Sequence, residues 1–529
     1  MKVEDLDHLG IIAGIIDQMG LIERVNSCLG THPQQIVSPG LGAKAMILNG
    51  LGFVSAPLYL YEGFFEGKAT EHLLGKGIKA RHLNDDYLGR LLDKIWDYGT
   101  AQLFSAIAMD AYRAFELDVR RYHLDSSSLS VHGVYEGQEM PHGCLEITHG
   151  YSRDHRPDLK QFIVEMICAN DGEVPLAFSV ASGNQSDKAV FAQRLKAFAR
   201  QWNVEGMLVA DSALYSADNL VEMGQLRWIT RVPLSLCAAK TLVRQFPSEA
   251  LSETQHKGYH LGSVCSTYGG IKQQWVVVEN QARIESDRHQ IDKQVAKQYR
   301  QAQTQLRALC QIDWSCEADA LEQTQSLAST WSYHTLANIE VVEHRHYNRP
   351  GRPPKGVRPK LTYRIQGIVV PDSVAIEQAQ CRAGRFILAT NVVDDPDVTP
   401  QSVFNDYKGQ QATERGFGIL KDPLFFTSSV FLKTPQRIAA LATIMGLSLM
   451  VYTLAQRQMR TALARVKETL PDQRHRPTRT PTLRWIFQSF QAIHLVWLPG
   501  QRHISNLTPQ RRKILQFLGA PCQKYYLIC

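Results

Sequence analysis

The sequence predicts an α/β chain whose sheet is interrupted by an insertion, and three observations carry that expectation. Residues 119–131, 162–169 and 174–181 read as strands, the last two joined by the hairpin turn Asn170-Asp171-Gly172. From Lys188 to Trp202 the apolar spacing turns helical (Val190, Phe191, Leu195, Phe198), after which 207–211 is a short buried strand, 216–223 a helix and 228–232 a strand. Core-strand character then lapses and returns only at 385–391. Antiparallel strands followed by alternating helix and strand is the order of a ribonuclease-H-like core.

The flanking segments follow from the same patterns. Residues 1–115 read as helical throughout, with 9–22 apolar at three- and four-residue spacing and Gly20 and Gly30 as stops. Further helices are expected at 42–52 and 85–98. Such a block fits a helix-turn-helix DNA-end-binding module and an all-helical dimerisation cap equally, because no Arg/Asn/Gln recognition face stands out. The expected layout is therefore 1–115 helical, 116–235 first part of the core, and 236–380 a β-rich insertion with one polar helix near 281–309. The second part of the core follows at 381–460, and 461–529 is a basic, proline-punctuated helical tail with a helix at 483–496.

Composition narrows the function classes. At 529 residues the chain exceeds one ordinary core. The formal charge of +7 is unevenly placed. Seven Lys/Arg and no acid lie between Arg345 and Arg364, and eight basic residues stand against Glu468 and Asp472 between Arg457 and Arg484. Concentrated basic stripes suit a polyanion, DNA in particular, better than a membrane. Ten cysteines without a C-x-x-C pair suit a reducing cytoplasm, and the acidic start lacks a signal-peptide pattern. The apolar run 438–455 carries Thr443, Ser448 and Tyr452 and is read as a core helix, not a span. No Walker loop, dinucleotide fingerprint or Ser-His-Asp pattern is present.

Three acids carry the chemistry. Asp125 and Asp211 are each expected to end an apolar strand, and Glu414 lies on a helix introduced by Thr399 and Pro400 as N-cap and first-turn proline. Taken singly, such aspartates are ordinary turn formers. Three carboxylates on separate elements can converge on two divalent metals, which clamp the attacking and leaving oxygens of an in-line phosphoryl transfer. Tyr407, Gln410, Glu414 and Lys421 recur at offsets of 3, 4 and 7, which places them on one helix face. A phenol, an amide, a carboxylate and an ammonium make a poor core stripe and a reasonable surface for metal and phosphate.

This pattern resembles the Tyr-x2-Arg-x3-Glu-x6-Lys signature of the DDE transposases of bacterial insertion sequences in the IS-four superfamily. Tyr407, Glu414 and Lys421 match it, and Gln410 stands where the family usually has arginine. The runs from Gly150 to Gln161 and from Gly183 to Asp187 are similar too, as is the β-containing insertion. The resemblance covers about residues 120–455. It implies that Asp125, Asp211 and Glu414 hold two Mg2+ (or Mn2+) ions, and that Tyr407 and Lys421 contact the DNA backbone. It further implies binding of element ends and target DNA, cleavage with strand transfer, and a homodimer in the synaptic complex of a bacterial cytoplasm. A metal-dependent nuclease without strand transfer and an inactive DNA-binding relative are the alternatives, the latter because Gln410 brings no charge.

Other features stay open between two readings. Arg153, Arg156 and Lys160 form either a phosphate-contacting edge or a solvated hairpin tip. Arg352 and Lys355, in Arg349-Pro-Gly-Arg-Pro-Pro-Lys355, resemble an AT-hook core and equally fit a flexible loop. Trp275, Trp314 and Trp331 are candidates for base stacking or, more commonly, buried structural residues.

Overall fold

The computed structural model describes residues 2–53, 56–133, 135, 145–154, 156–346, 359–422 and 432–528. They divide into two compact units, one formed by 1–230, 268–271 and 405–529, the other by 231–267 and 272–404.

In the first unit a mixed sheet is built in the order Pro175–Ser182, Lys160–Ala169, Arg121–Val131, Met207–Ala210, Trp228–Val232. The first three strands are antiparallel and the last two run parallel to Arg121–Val131 and to each other. The 170–172 turn forms as expected: Gly172 takes φ +78, and a Cβ there would stand 2.6 Å from the Cβ of Arg457. Arg457 pins that turn with hydrogen bonds of 2.8 and 2.6 Å to Asp171 and one of 2.9 Å to the Phe115 carbonyl. The expected strand near 145–151 is reduced to a bridge between Thr148 and Gln161.

Beside the sheet lie the N-terminal helices, among them Leu9–Gln18, Pro39–Gly50 and Asp85–Tyr98. Helix Pro435–Val466 is, among the described residues, the one long and apolar enough to cross a membrane, and 89% of that apolar stretch is buried inside the structure. It packs on Leu9–Gln18, Pro39–Gly50, Asp85–Tyr98 and the Pro175–Ser182 strand. Its approach to that strand depends on Gly446, where a Cβ would meet the Phe178 ring at 2.7 Å. Burying side chains such as Ile438, Leu447 and Leu454 contributes about 1.5–3 kcal/mol each.

Three expectations are corrected here. The N-terminal block is not wholly helical, because Lys2–Asp5 is a strand antiparallel to His494–Leu498. The helix expected at 483–496 stops at Ser489, and the chain turns through a left-handed Ala492 (φ +62) into that same strand. The region after 461 is no loose tail. Helix Ala520–Gln523 packs on Leu9–Gln18, and the buried Tyr526 hydroxyl donates to the Asp7 carbonyl at 2.6 Å.

The second unit has its own sheet, ordered Arg385–Thr390, Ile271–Asn280, Tyr259–Tyr268, Ser252–Glu253. Arg385–Thr390, expected to rejoin the core, clusters with this unit, which runs to Phe404. The expected polar helix is Gln281–Cys310, and it packs with Glu317–Ser329 on the hairpin His334–His346/Lys360–Pro371. A small core of Ala302, Leu306 and Val369, flanked by Cys310, Trp331 and Leu336, holds that packing.

Candidate functional site: an acidic cavity on the sheet of the first unit

Asp125 lies inside its strand, Arg121–Val131, and not at the strand end as expected, because the hydroxyl run Ser126–Ser128 continues the ladder opposite Val164–Glu165. Alternation places His123, Asp125 and Ser127 on one face. Asp211 immediately follows Met207–Ala210, whose last pair is Leu124 with Ala210. The two aspartates are therefore the next neighbours along adjacent parallel strands, which lie about 4.8 Å apart. Asp211 is oriented by its own turn, its Oδ1 accepting from the Ala213 amide at 2.8 Å and its carbonyl accepting from the Thr230 hydroxyl at 2.6 Å.

Glu414 reaches the same place from above. Its helix, Gln411–Leu420, packs on the Arg121–Val131 and Lys160–Ala169 strands. The single helix expected to carry the four-residue stripe is in fact two. Pro400–Lys408 ends before Gly409, and Gln410 is the N-cap of the next helix. Gly409 is needed there: a Cβ would come within 2.8 Å of the His123 ring. Consequently Tyr407 sits on the preceding helix, outside the cavity, whereas Gln410, Glu414 and Lys421 stay with it.

The cavity, about 360 Å³, is lined by Asp125, Ser126, Ser127, Arg153, Asp211, Gln410, Glu414, Phe417, Gly418 and Lys421. Asp125 is only 7% exposed, and burial raises its carboxyl to about pH 7. Arg153 and the Ser126 amide pull in the opposite direction, while the charges of Asp211 and Glu414 add to the rise. Arg153 places Nη1 3.5 Å from Asp125 Oδ1 and Nη2 2.7 Å from Ser126 Oγ. Its backbone amide is fixed by Ser128 Oγ at 3.1 Å. Lys421 donates to both oxygens of Asp154, at 2.7 and 2.9 Å. Gln410 is 6% exposed, and its Oε1 meets no hydrogen-bond donor among the described residues.

The three acids thus share one cavity. Among the described residues, however, no three His, Cys, Asp or Glu side chains stand close enough to form a ready-made metal cage. The donor set itself, three carboxylates and an orphaned amide oxygen, has the all-oxygen chemistry of a hard divalent cation. Arg153 supplies positive charge at the Asp125 corner instead.

Other expected site residues lie elsewhere. Arg156 is paired with Asp158 at 2.9 and 2.7 Å, and neither it nor Lys160 lines the cavity. Arg352 and Lys355 fall outside the described residues. Trp275 is a core residue, 3% exposed, with its indole bonded to Gln273. Ser126, Ser127, Asp154, Phe417 and Gly418 were not read from the sequence. Asp154 had a signal, being the one acid within the basic run Arg153–Arg156.

Residues 1–109 match a family model described as a domain of unknown function (DUF4277). Comparison with curated protein sequences finds no match. In fold the chain is similar to the cryo-EM structure of a piggyBac transposase synaptic complex with hairpin DNA, with a TM-score of 0.40 and 9% identity. That alignment covers 100% of this chain and 88% of the other. At that distance the likeness is one of overall fold, and no residue role is carried over from it.

Proposed function

We propose that this chain is a DDE-type transposase of a bacterial insertion sequence. In this reading it binds terminal inverted repeats and catalyses Mg2+-dependent DNA cleavage and strand transfer, as a homodimer on paired ends in the cytoplasm. The observation that supports this best is the gathering of Asp125, Asp211 and Glu414, remote in sequence, around one solvent-open cavity. Two bound Mg2+ or Mn2+ ions would supply an activated oxygen nucleophile and neutralise the leaving oxygen. Asp125 and Asp211 form the rigid side, because adjacent strands hold them. Glu414, exposed on a helix shoulder, closes the open side. Lys421 serves the phosphate after exchanging Asp154 for it, and Arg153 moves its charge from Asp125 toward the scissile group.

Asp125→Asn and Glu414→Gln should abolish Mg2+-dependent cleavage of a duplex carrying an element end while leaving binding of that duplex within a few-fold. Cleavage that persists in both variants would end the assignment. Strand-transfer products from a pre-cut end separate this function from that of a nuclease using the same cavity.

A further inference from the structure

We propose that Gln410 is a fourth oxygen ligand of the divalent-cation centre formed by Asp125, Asp211 and Glu414, its side-chain carbonyl binding the ion directly. The inference deepens the function proposed above and rests on its reading of the cavity as a hard-cation site. Three observations lead to it. Gln410 lines the cavity with the three acids. It is 6% exposed, so little water reaches the amide. Its Oε1 has no donor among the described residues, although a buried carbonyl without a partner is costly. A side chain that is buried, unsatisfied and set in the wall of an acidic cavity fits an acceptor whose partner is a cation. Carboxamide oxygens are ordinary ligands of hard divalent ions alongside carboxylates.

The position on the chain supports the same reading. Gln410 is the N-cap residue of the Glu414 helix and follows Gly409, which is held against His123 on the Asp125 strand. The backbone that carries the amide is thereby tied to both strand and helix, and the amide needs no loop movement to meet an ion between them. Charge points the same way. Arg153 already places one guanidinium beside Asp125. An arginine at 410 would set a second fixed cation against bound divalent ions, whereas a neutral amide adds a ligand without repulsion.

The test uses the full-length protein, stripped of metal with a chelator and titrated with MnCl2. Binding is followed by calorimetry and by the spin-resonance signal of free Mn2+. Gln410→Leu should weaken Mn2+ binding by at least about tenfold. Without metal it should melt no lower than wild type, since an unsatisfied buried oxygen has been removed. Gln410→Glu, close in shape and safer for folding, should tighten Mn2+ binding. Mn2+ affinity within twofold of wild type in both variants overturns the proposal. Unchanged Mn2+ affinity with weakened binding of an end-bearing duplex also overturns it, and assigns the amide to a phosphate instead. If wild type binds no Mn2+, or binds it as well after Asp125→Asn, the underlying reading of the cavity fails. Binding that Asp125→Asn abolishes and Gln410→Leu leaves intact refutes only the role of Gln410.

Discussion

Replacing Asp125 by Asn should make the metal-free protein more stable at neutral and alkaline pH, even as it destroys the proposed centre. The carboxyl titrates near 3.8 when unhindered and near pH 7 in the fold, chiefly because burial penalises the anion. Below about pH 4 the acid is neutral in both folded and unfolded chains and costs nothing. As pH rises toward 7 the unfolded chain releases its proton while the folded chain keeps it, so stability is lost through that window. A shift of roughly three units at 1.36 kcal/mol each sets the loss at about 4 kcal/mol as an upper bound. Asparagine keeps the acceptor for the Ser126 amide but does not titrate. Thermal melts in chelator from pH 4 to 8.5 should show the wild type falling relative to Asp125→Asn, with curves several degrees apart at pH 8. Adding MnCl2 should raise the wild type alone, because a bound cation compensates the anion. Parallel curves across the whole range would refute the argument, since they would mean that Asp125 is ionised in the fold without penalty.

Two further outcomes follow from the same geometry. Asp154→Ala removes the acid that engages Lys421 and should strengthen binding to a short duplex by up to about fivefold at low salt, the scale of an exposed ion pair, with the gain vanishing at high salt. An unchanged affinity in a filter-binding assay would show that Lys421 does not meet DNA. Gly409→Ala should cost about 1–3 kcal/mol in denaturant unfolding, because its Cβ collides with His123, and should also reduce Mn2+ affinity by displacing Gln410. Wild-type stability in that variant would show that the packing relaxes easily.

The regular periodicity of local segments made much of this protein legible. The strands around Asp125 and Asp211, the helix of Glu414 and the polar Gln281–Cys310 helix each announce themselves within a short window. What escaped depends on remote partners. Lys2–Asp5 has too few residues to show an alternation and becomes a strand because His494–Leu498 pairs with it. The same pairing cut short the helix expected at 483–496. The three acids were legible as a set, yet the interior position of Asp125 was not, since serines are as common in turns as in strands. The division of the 400–421 helix at Gly409 was hidden because glycine within a helical pattern signals a break only when something presses against it, here the ring of His123. Likewise the inward turn of Arg153 toward Ser126 and Asp125 could not be distinguished from a solvated cation in a basic run.

The closure of both chain ends on one another limits how this protein can be dissected. The strand Lys2–Asp5 gets its only long ladder from His494–Leu498, and Gly10 and Gly14 admit Tyr526 and Cys522 at distances that leave no room for a methyl group. A fragment cut to residues 1–109 would therefore expose a raw strand edge and an apolar helix flank, so it should aggregate when expressed alone. Co-expression with a fragment carrying 432–528 should restore it to solution. Fusion partners belong on a surface loop, because a bulky addition at either end sits against the seam that joins them.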